Sequence, residues 1–449
     1  MTTKTIFKTI IFVGLLCSSI VKAQITPTNN IIGVDVSTFP QNTSFNYDSC
    51  FALGAKLGMG SIGIFQNWTA IETAPFTYNM TVMDIANMYY PANNMPVDLT
   101  VTPIHTNNLE VPSDLTTTTF DNTVFINRFK TLLDSIKVHI PNVTLNSLVI
   151  GSEHYVYLGS NATLWSQYTT FYDSVSTYAK TLWPGLKVAT ELTFTGITTQ
   201  NAFAQTLNTN SDYIGVSYYP LHNDFTVKPT STIPADFATL VGLYPLKPIC
   251  FYQFGYPSSA SCNSSEALQS QFIAQTFTTW DNYANNVKMI DFTWLHDLDT
   301  ALVNFYGSYY GLTDTIFLEY LHTLGLRSWN GSGTDKEAFK ELQCQAKQRG
   351  YNSININCTT GISDKNYGNH DIIQLFPNPV QNTLNVVLPI DFDNIELRIY
   401  NQFGQLEKIY LNNKENNISI ETFGLTNGLY IIVIQNEDKI VKRKFIVNK

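Results

Sequence analysis

Two apolar runs of this 449-residue sequence end in side chains that could act on a substrate. The run at 148–154, LVIGSEH, leads to Glu153, and the run at 247–259, KPICFYQFGYPSS, carries Gln253 just before a turn. A carboxyl group at the end of a buried strand can donate or accept a proton while a bond breaks. A neutral amide is a poor nucleophile, so only one of the two positions carries a group suited to this chemistry.

Polar and aromatic residues stand at the ends of other apolar runs as well. Flat aromatic rings pack on the apolar faces of pyranose rings, while amides, carboxylates and imidazoles bind hydroxyl groups. The candidate ligand-binding residues are Asp35, Trp68, His105, Asn107, His154, Tyr218, Tyr219, Trp294 and Asp297. Trp68 and Trp294 could equally be core side chains, and Gln253 could simply form hydrogen bonds within the protein. No cofactor is expected, and the His and Cys spacings predict no metal site.

The elements that must position these residues alternate between strand and helix from about residue 30 to 350. Strand-like runs begin near residues 31, 61, 97, 145, 187, 213, 248 and 289, and helical patterns cover 124–138, 165–182 and 267–280. Eight such units predict an α/β fold, a TIM (β/α)8 barrel over residues 24–344, in which ligands bind at the carboxyl ends of the strands. A doubly wound open sheet is the alternative, but no Gly-rich phosphate-binding sequence follows the first strand.

Composition and the N-terminus indicate an exported protein. Lys4 and Lys8 precede an apolar run from residue 10 to 21, which predicts a signal peptide over residues 1–23. Only 14% of residues are charged and the net charge is −9, which argues against nucleic-acid binding. Five cysteines follow the signal peptide, and Cys50 is predicted to be a buried thiol. The plausible disulfide bonds are Cys250–Cys262 and Cys344–Cys358.

The C-terminal part of the chain changes character. Residues 345–371 are rich in Asn and Gly and are predicted to be a linker, and residues 372–449 predict a small all-β sandwich. This module carries LFPNP at 375–379, LNV at 384–386, YNQFGQ at 400–405, GLYII at 428–432 and KRKFIV at 442–447. It closely resembles the C-terminal sorting domain of the type IX secretion system of Bacteroidetes. The resemblance implies a partnership with that secretion machinery and transport through the periplasm and outer membrane to the cell surface or medium.

The barrel resembles retaining glycoside hydrolases that carry glutamates after strands four and seven, the clan of cellulase-like and galactanase-like enzymes. Glu153 matches the acid/base of this clan, although Ser152 stands where an Asn usually contacts the sugar 2-hydroxyl. Gln253 stands at the position of the nucleophile. The aromatic positions near the nucleophile and after strand eight match Tyr218 or Tyr219 and Trp294. The resemblance implies a protein that binds a polysaccharide or oligosaccharide, and we expect the protein to be a monomer.

Three hypotheses about function follow. Retaining hydrolysis needs a second carboxylate about 5 Å from the acid, which Gln253 does not provide. Inverting hydrolysis could instead use Glu191 or Asp297 as the base, at about 6.5–9.5 Å from Glu153. The first hypothesis is therefore a glycoside hydrolase with altered machinery, and the second is a catalytically inactive protein that binds polysaccharide. The third is an adhesive surface protein that uses the barrel as a scaffold.

Overall fold

The computed structural model describes residues 29–40, 45–354, 356, 358, 374–388, 395–401, 405–412, 417–435 and 440–449. The predicted signal peptide at 1–23 lies outside the described residues, as does most of the predicted linker. The chain divides into two compact units, a large α/β unit and a C-terminal β unit. Within the described residues, no helix combines the length and apolar character needed to cross a membrane.

Eight parallel strands close into a barrel, which confirms the predicted fold. The strands are β1 Ile31–Val34, β2 Met59–Asn67, β3 Val97–His105, β4 Leu145–Ser152, β5 Lys187–Thr193, β6 Ile214–Tyr218, β7 Ile249–Phe254 and β8 Val287–Phe292. Each strand pairs with its sequence neighbours, and β8 pairs with β1 to close the ring. Parallel strands covered on both faces need continuous apolar runs, and β3 and β4 are buried along almost their whole length.

Helices surround the strands and bury their apolar stripes against them. They are α1 Tyr47–Lys56, α2 Trp68–Ile71, α3 Thr81–Ala92, α4 Thr123–His139, α5 Tyr155–Leu158, α6 Ala162–Leu182, α7 Phe194–Thr199, α8 Asn201–Leu207, α9 Ile233–Leu243, α10 Glu266–Asn282, α11 Thr300–Tyr310, α12 Thr315–His322 and α13 Glu337–Gln348. Local sequence determines where helices begin, because the side-chain oxygens of Asn122 and Asn161 cap the first turns of α4 and α6. The last helix, α13, extends four residues into the predicted linker.

A long insertion separates β8 from α13. It holds α11 and α12, which form an apolar cluster distinct from the core of the barrel together with residues of the segments after β6 and β7. The buried members of this cluster are Cys262, Leu298, Val303, Phe317, Tyr320, Leu321 and Leu324. The insertion follows the carboxyl end of β8, so it lies at the end of the barrel where ligands bind.

The C-terminal unit forms two antiparallel sheets around one apolar core. Its strands are β9 Gln374–Phe376, β10 Thr383–Val387, β11 Ile395–Asn401, β12 Leu406–Asn412, β13 Asn417–Glu421, β14 Gly428–Gln435 and β15 Ile440–Val447. The sheet orders are β9-β10-β13 and β12-β11-β14-β15. Alternation of buried and half-buried residues along β10, β11 and β14 places one face of each strand in the core.

Of the predictions about cysteines, two are confirmed and one is wrong. Cys344 and Cys358 form a disulfide bond, and Cys50 is a buried free thiol, as predicted. The predicted Cys250–Cys262 bond is wrong, because both thiols are free. Cys250 lies near the start of β7 among interior residues of the barrel, whereas Cys262 follows the end of β7 and packs in the apolar cluster of the insertion. The two ends of one strand point to opposite ends of a barrel, so these sulfurs cannot meet.

Candidate functional site

Glu153 lies directly after β4, with a left-handed backbone (φ 51°) that turns its carboxyl group into the mouth of the barrel. The hydroxyl of Thr106 donates to Oε2 at 2.9 Å, and the hydroxyl of Ser217 donates to Oε1 at 2.6 Å. Burial raises the pKa of Glu153 in spite of these two hydrogen bonds, which act in the opposite direction. A carboxyl group that keeps its proton to higher pH is suited to act as an acid.

Thr106 and Ser217 were not identified from the sequence. Thr106 directly follows β3 and Ser217 is the penultimate residue of β6, so both stand at strand ends, where functional residues of barrels concentrate. Their strand-end position was the available signal. Sequence reasoning missed them because small hydroxyl residues are common and carry no chemistry of their own.

Gln253 belongs to the same cluster. It pairs in register with Ser217, the residue that contacts Glu153, so the two side chains lie on the same face of neighbouring strands. Its amide nitrogen lies 3.2 Å from Glu191 Oε2 and 3.3 Å from the hydroxyl of Ser152. Its amide oxygen accepts a hydrogen bond from the hydroxyl of Tyr219 at 3.1 Å. Gln253 is therefore held by partners at both ends of its amide.

Glu191 is the second carboxyl group of the cluster and is only 1% exposed. Its Oε2 accepts hydrogen bonds from Ser152 at 2.7 Å and from Gln253, while its Oε1 is buried without a partner among the described residues. Burial is the main cause that raises the pKa of Glu191 to about 8, and the charge of Glu153 raises it further. Glu191 is therefore mostly protonated at neutral pH.

Asp35 and Trp294 lie together on the β1 and β8 side of the mouth. The carboxylate of Asp35 accepts a hydrogen bond from the backbone N–H of Ser37 at 2.8 Å and another from the side chain of Trp294. Burial raises the pKa of Asp35. The ring of Trp294 stacks on Tyr306 of α11, with centroids 6.3 Å apart and planes 19° apart. One face of this predicted sugar platform is thus already in contact with an aromatic ring.

His105 and Asn107 lie at and just after the end of β3, and both contact α11. The two imidazole nitrogens of His105 lie 3.2 Å from the hydroxyl of Tyr309 and 3.1 Å from that of Tyr310. The side chain of Asn107 donates to the backbone oxygen of Tyr310 at 3.1 Å. Burial lowers the pKa of His105 to about 4, so the imidazole is neutral at physiological pH.

Two predicted ligand-binding residues lie away from the mouth. Trp68 is 0% exposed and packs edge-on against Phe125, and its indole N–H donates to Glu72 at 2.8 Å. His154 is likewise fully buried and stacks on Tyr168, with ring centroids 4.5 Å apart. Burial lowers the pKa of His154 to about 3. Both side chains are packed in the interior, so the structure gives neither of them access to a ligand in the mouth.

Two others are held by structural partners. Tyr218 is fully buried, stacks on Phe254 and donates its hydroxyl to Asp236 at 2.6 Å. Of the adjacent tyrosines at this strand end, only Tyr219 joins the Gln253 cluster. Asp297 is 8% exposed and forms an ion pair with Lys336 at 2.6 Å. Burial raises the pKa of Asp297 to about 6, although the positive charge of Lys336 acts to lower it. An aspartate paired in this way is not free to act as a base.

The described residues contain no group of three or more His, Cys, Asp or Glu side chains arranged to hold a metal ion.

Residues 374–448 match the sequence profile of the family described as the secretion system C-terminal sorting domain. The C-terminal unit is a sorting domain of the type IX secretion system. No curated protein is significantly similar to the chain in sequence.

Solved structures resemble the barrel. Exo-beta-1,4-mannosidase Op5Man5 from Opitutaceae bacterium strain TAV5 aligns with TM-score 0.55 and 14% identity, over 72% of this chain and 60% of its own. A GH5_18 variant from Streptomyces cattleya in complex with Manb1-4GlcNAc aligns with TM-score 0.54 and 14% identity, over 71% of this chain and 80% of its own. Bacteroides uniformis beta-glucuronidase 2 aligns with TM-score 0.49 and 11% identity, over 93% of this chain and 46% of its own. The two likenesses with TM-scores above 0.5 show a glycoside-hydrolase-like fold for the barrel, and at 14% identity they show the fold alone.

Proposed function

We propose that this protein is an exported saccharide-binding protein built on a glycoside hydrolase barrel whose nucleophile position is occupied by Gln253. The observation that supports the proposal is the cluster at the mouth, in which the carboxyl group of Glu153 and the amide of Gln253 lie on neighbouring partners, Ser217 and Ser152 among them. Hydrogen bonds from Tyr219 and to Glu191 hold this amide in place. The sorting domain supports export to the cell surface or medium, where polysaccharides are the expected ligands.

Retaining hydrolysis is not supported by this arrangement. It requires a carboxylate that attacks the sugar and forms a covalent intermediate. An amide at position 253 cannot attack and does not stabilise the positive charge of an oxocarbenium-like transition state. A general acid such as Glu153 contributes about 10²–10⁴-fold by itself, far below the acceleration that glycosidases reach.

Inverting hydrolysis with Glu191 as the base is the second candidate. The observation in its favour is the buried Oε1 of Glu191, which has no partner among the described residues and belongs to a carboxyl group beside Glu153. A base must be ionised, however, and the pKa of Glu191 is about 8. Ionising Glu191 also places a second negative charge near Glu153. This candidate therefore predicts hydrolysis that rises toward pH 8, whereas the binding proposal predicts none.

The test compares the wild type with Gln253→Glu, using mannohexaose and cellohexaose as probes. Calorimetry measures binding and product analysis measures hydrolysis from pH 5 to 8. We expect the wild type to bind at least one probe without cleaving it. Gln253→Glu should gain hydrolysis, because the new carboxylate would receive a hydrogen bond from Tyr219. The matched control is the double variant Glu153→Gln/Gln253→Glu, which keeps the nucleophile, removes the acid and should lose the gain.

Three results would contradict the proposal. Wild-type hydrolysis that disappears in Glu191→Gln would establish the inverting candidate. Binding without any hydrolysis by Gln253→Glu would show that position 253 is not the lost nucleophile. Failure of every variant to bind either probe would favour a scaffold role for the barrel.

A further inference from the structure

Helix α11 crosses the mouth of the barrel. Its Tyr306 stacks on Trp294 after β8, and its Tyr309 receives a hydrogen bond from the side chain of Asn67 at the end of β2. The hydroxyl of Tyr310 lies 3.1 Å from Nε2 of His105 at the end of β3. One helix therefore reaches residues at the ends of strands on different sides of the ring.

A polar clasp holds the C-terminal end of α11 to the segment that follows β3. The members of this clasp are His105, Asn107, Asn108, Glu110, Tyr309 and Tyr310. Asn108 donates to the backbone oxygen of Tyr309 at 2.8 Å, in the way that Asn107 donates to Tyr310. The hydroxyl of Tyr309 also donates to Glu110 at 2.6 Å. Hydrogen bonds that are at the edge of a site exchange with water at small cost, so a clasp of this kind can open.

The opposite end of the insertion is fixed. Lys336 pairs with Asp297 just before α11, and the same ammonium donates to Ser258 at 3.0 Å and to the backbone oxygen of Thr323. Helices α11 and α12 share an apolar cluster outside the core of the barrel, and Tyr219, Phe225 and Cys262 from the segments after β6 and β7 also belong to it. The insertion thus combines a fixed base, an α12 that packs on the segments after β6 and β7, and a C-terminal end of α11 held by polar contacts. The part of the insertion that can move is therefore α11.

The groups that α11 occupies are those suited to bind a sugar. Tyr306 covers a face of Trp294, as a pyranose ring would. The hydroxyls of Tyr309 and Tyr310 engage both nitrogens of His105, as sugar hydroxyls would. The outer side of the helix faces solvent, since Phe305 is 57% exposed. The helix therefore meets the mouth through three tyrosines that imitate the ring faces and hydroxyls of a saccharide.

We propose that α11 is an autoinhibitory lid: Tyr306, Tyr309 and Tyr310 occupy the saccharide site in the closed form, and a saccharide enters only when the clasp opens. The ligand class rests on the proposed function, whereas the closed lid rests on the contacts of α11 alone. A ligand that competes with the lid binds with an affinity reduced by the fraction of molecules that are open. Weakening the clasp should therefore tighten saccharide binding.

The test uses the full chain and the variants Tyr309→Phe and Asn108→Ala. Tyr309→Phe removes one hydroxyl and leaves Glu110 paired with Thr69, so the fold is retained. The matched control is Tyr178→Phe, which removes a hydroxyl that donates to Asp134 at 2.6 Å on the outer helices. Hydrogen exchange of residues 300–310 measures opening, and calorimetry with mannohexaose and cellohexaose measures binding.

We expect both clasp variants to raise exchange in residues 300–310 by on the order of tenfold, the effect of losing a hydrogen bond to a carboxylate or a backbone oxygen. The apparent affinity for the bound probe should rise several-fold, and Tyr178→Phe should match the wild type in both measurements. Unchanged exchange and unchanged affinity in both clasp variants would overturn the lid, since α11 would then be a fixed wall. Faster exchange without binding of either probe by any variant would uphold the lid and overturn the proposed saccharide function.

Discussion

Replacing Glu191 by glutamine should change how the stability of the barrel depends on pH. Burial raises the pKa of Glu191 to about 8, and an unfolded glutamate has a pKa of about 4.3. The folded-state pKa is the higher one, so the folded protein prefers the protonated acid. The stability associated with this proton is complete below about pH 4.3 and is lost as the pH rises toward about 8.

The magnitude follows from these two pKa values. The free energy of unfolding falls by about 1.36 kcal/mol for each pH unit in which the folded state alone holds the proton. Compared with its value at low pH, the free energy of unfolding is lower by about 1 kcal/mol at pH 5 and by about 4.5 kcal/mol at pH 8. Glu191 therefore accounts for a loss of about 3.5 kcal/mol between these pH values. Because Glu191 is 1% exposed, solvent screening does not reduce this figure much.

Glutamine keeps the local contacts. Its side-chain oxygen can accept from Ser152 and Gln253 as Glu191 Oε2 does, and it has no ionisable proton. The difference in unfolding free energy between Glu191→Gln and the wild type should therefore grow by about 3.5 kcal/mol from pH 5 to pH 8. Burial also raises the pKa of other carboxyl groups, such as that of Asp291. Their contributions are the same in the variant and the wild type, so they cancel when the two unfolding free energies are subtracted at each pH.

Urea unfolding followed by tryptophan fluorescence measures this difference. All six tryptophans precede residue 330, so the signal reports on the barrel and not on the sorting domain. Asp224→Asn is the matched control, because hydrogen bonds from Thr226 lower the pKa of this exposed carboxyl group and keep it ionised from pH 5 to 8. A difference between Glu191→Gln and the wild type that stays constant over this range would refute the assignment of a raised pKa to Glu191.

Three further predictions concern residues outside the Glu153 cluster. Trp68→Phe should lower the free energy of unfolding by about 2 kcal/mol, by losing buried volume and the bond to Glu72, while calorimetry finds the saccharide affinity unchanged. Lys336→Met should destabilise by about 3–5 kcal/mol because it leaves Asp297 buried without its partner, and a second change, Asp297→Asn, should recover part of the loss in thermal unfolding. A chain that ends at residue 356 should accumulate in the periplasm of a bacterium with type IX machinery, as measured by cell fractionation, because the sorting domain is missing.

The barrel strands were predictable because they are buried on both faces. Predicted starts near residues 31, 61, 97, 145, 187, 213, 248 and 289 compare with observed starts at 31, 59, 97, 145, 187, 214, 249 and 287. A short, continuous apolar run bounded by turn residues is compatible with few structures other than a buried strand. The C-terminal unit also contains two strands, β9 and β12, that the sequence pattern does not mark. β9 has only three residues, and β12 exposes large apolar side chains at Leu406, Ile409 and Leu411, so neither shows a clear alternation.

The position of α11 was not predictable from the sequence. Residues 300–310 contain many aromatic residues, a composition that suits either a core helix or an exposed surface. Which face meets the barrel is decided by pairings between residues about 200 positions apart, such as Tyr309 with Glu110. No local pattern encodes such a pairing, because the partners are ordinary polar residues in loops.

Three predicted ligand-binding residues, Trp68, His154 and Tyr218, pack in the interior while a neighbour in sequence lies at the mouth. Adjacent residues at the point where a strand ends point in different directions, so only one of the two reaches the mouth in each of these cases. The adjacent residues in question are Asn67 and Trp68, Glu153 and His154, and Tyr218 and Tyr219. In each pair the structure places one residue at the mouth and packs the other in the interior. For Asn67 and Trp68, and for Glu153 and His154, the sequence offered a criterion: the ring should pack in the interior, because burying an unpaired amide or carboxyl group costs more than burying a ring. Two adjacent tyrosines offer no such criterion, so the choice between Tyr218 and Tyr219 could not be made from the sequence.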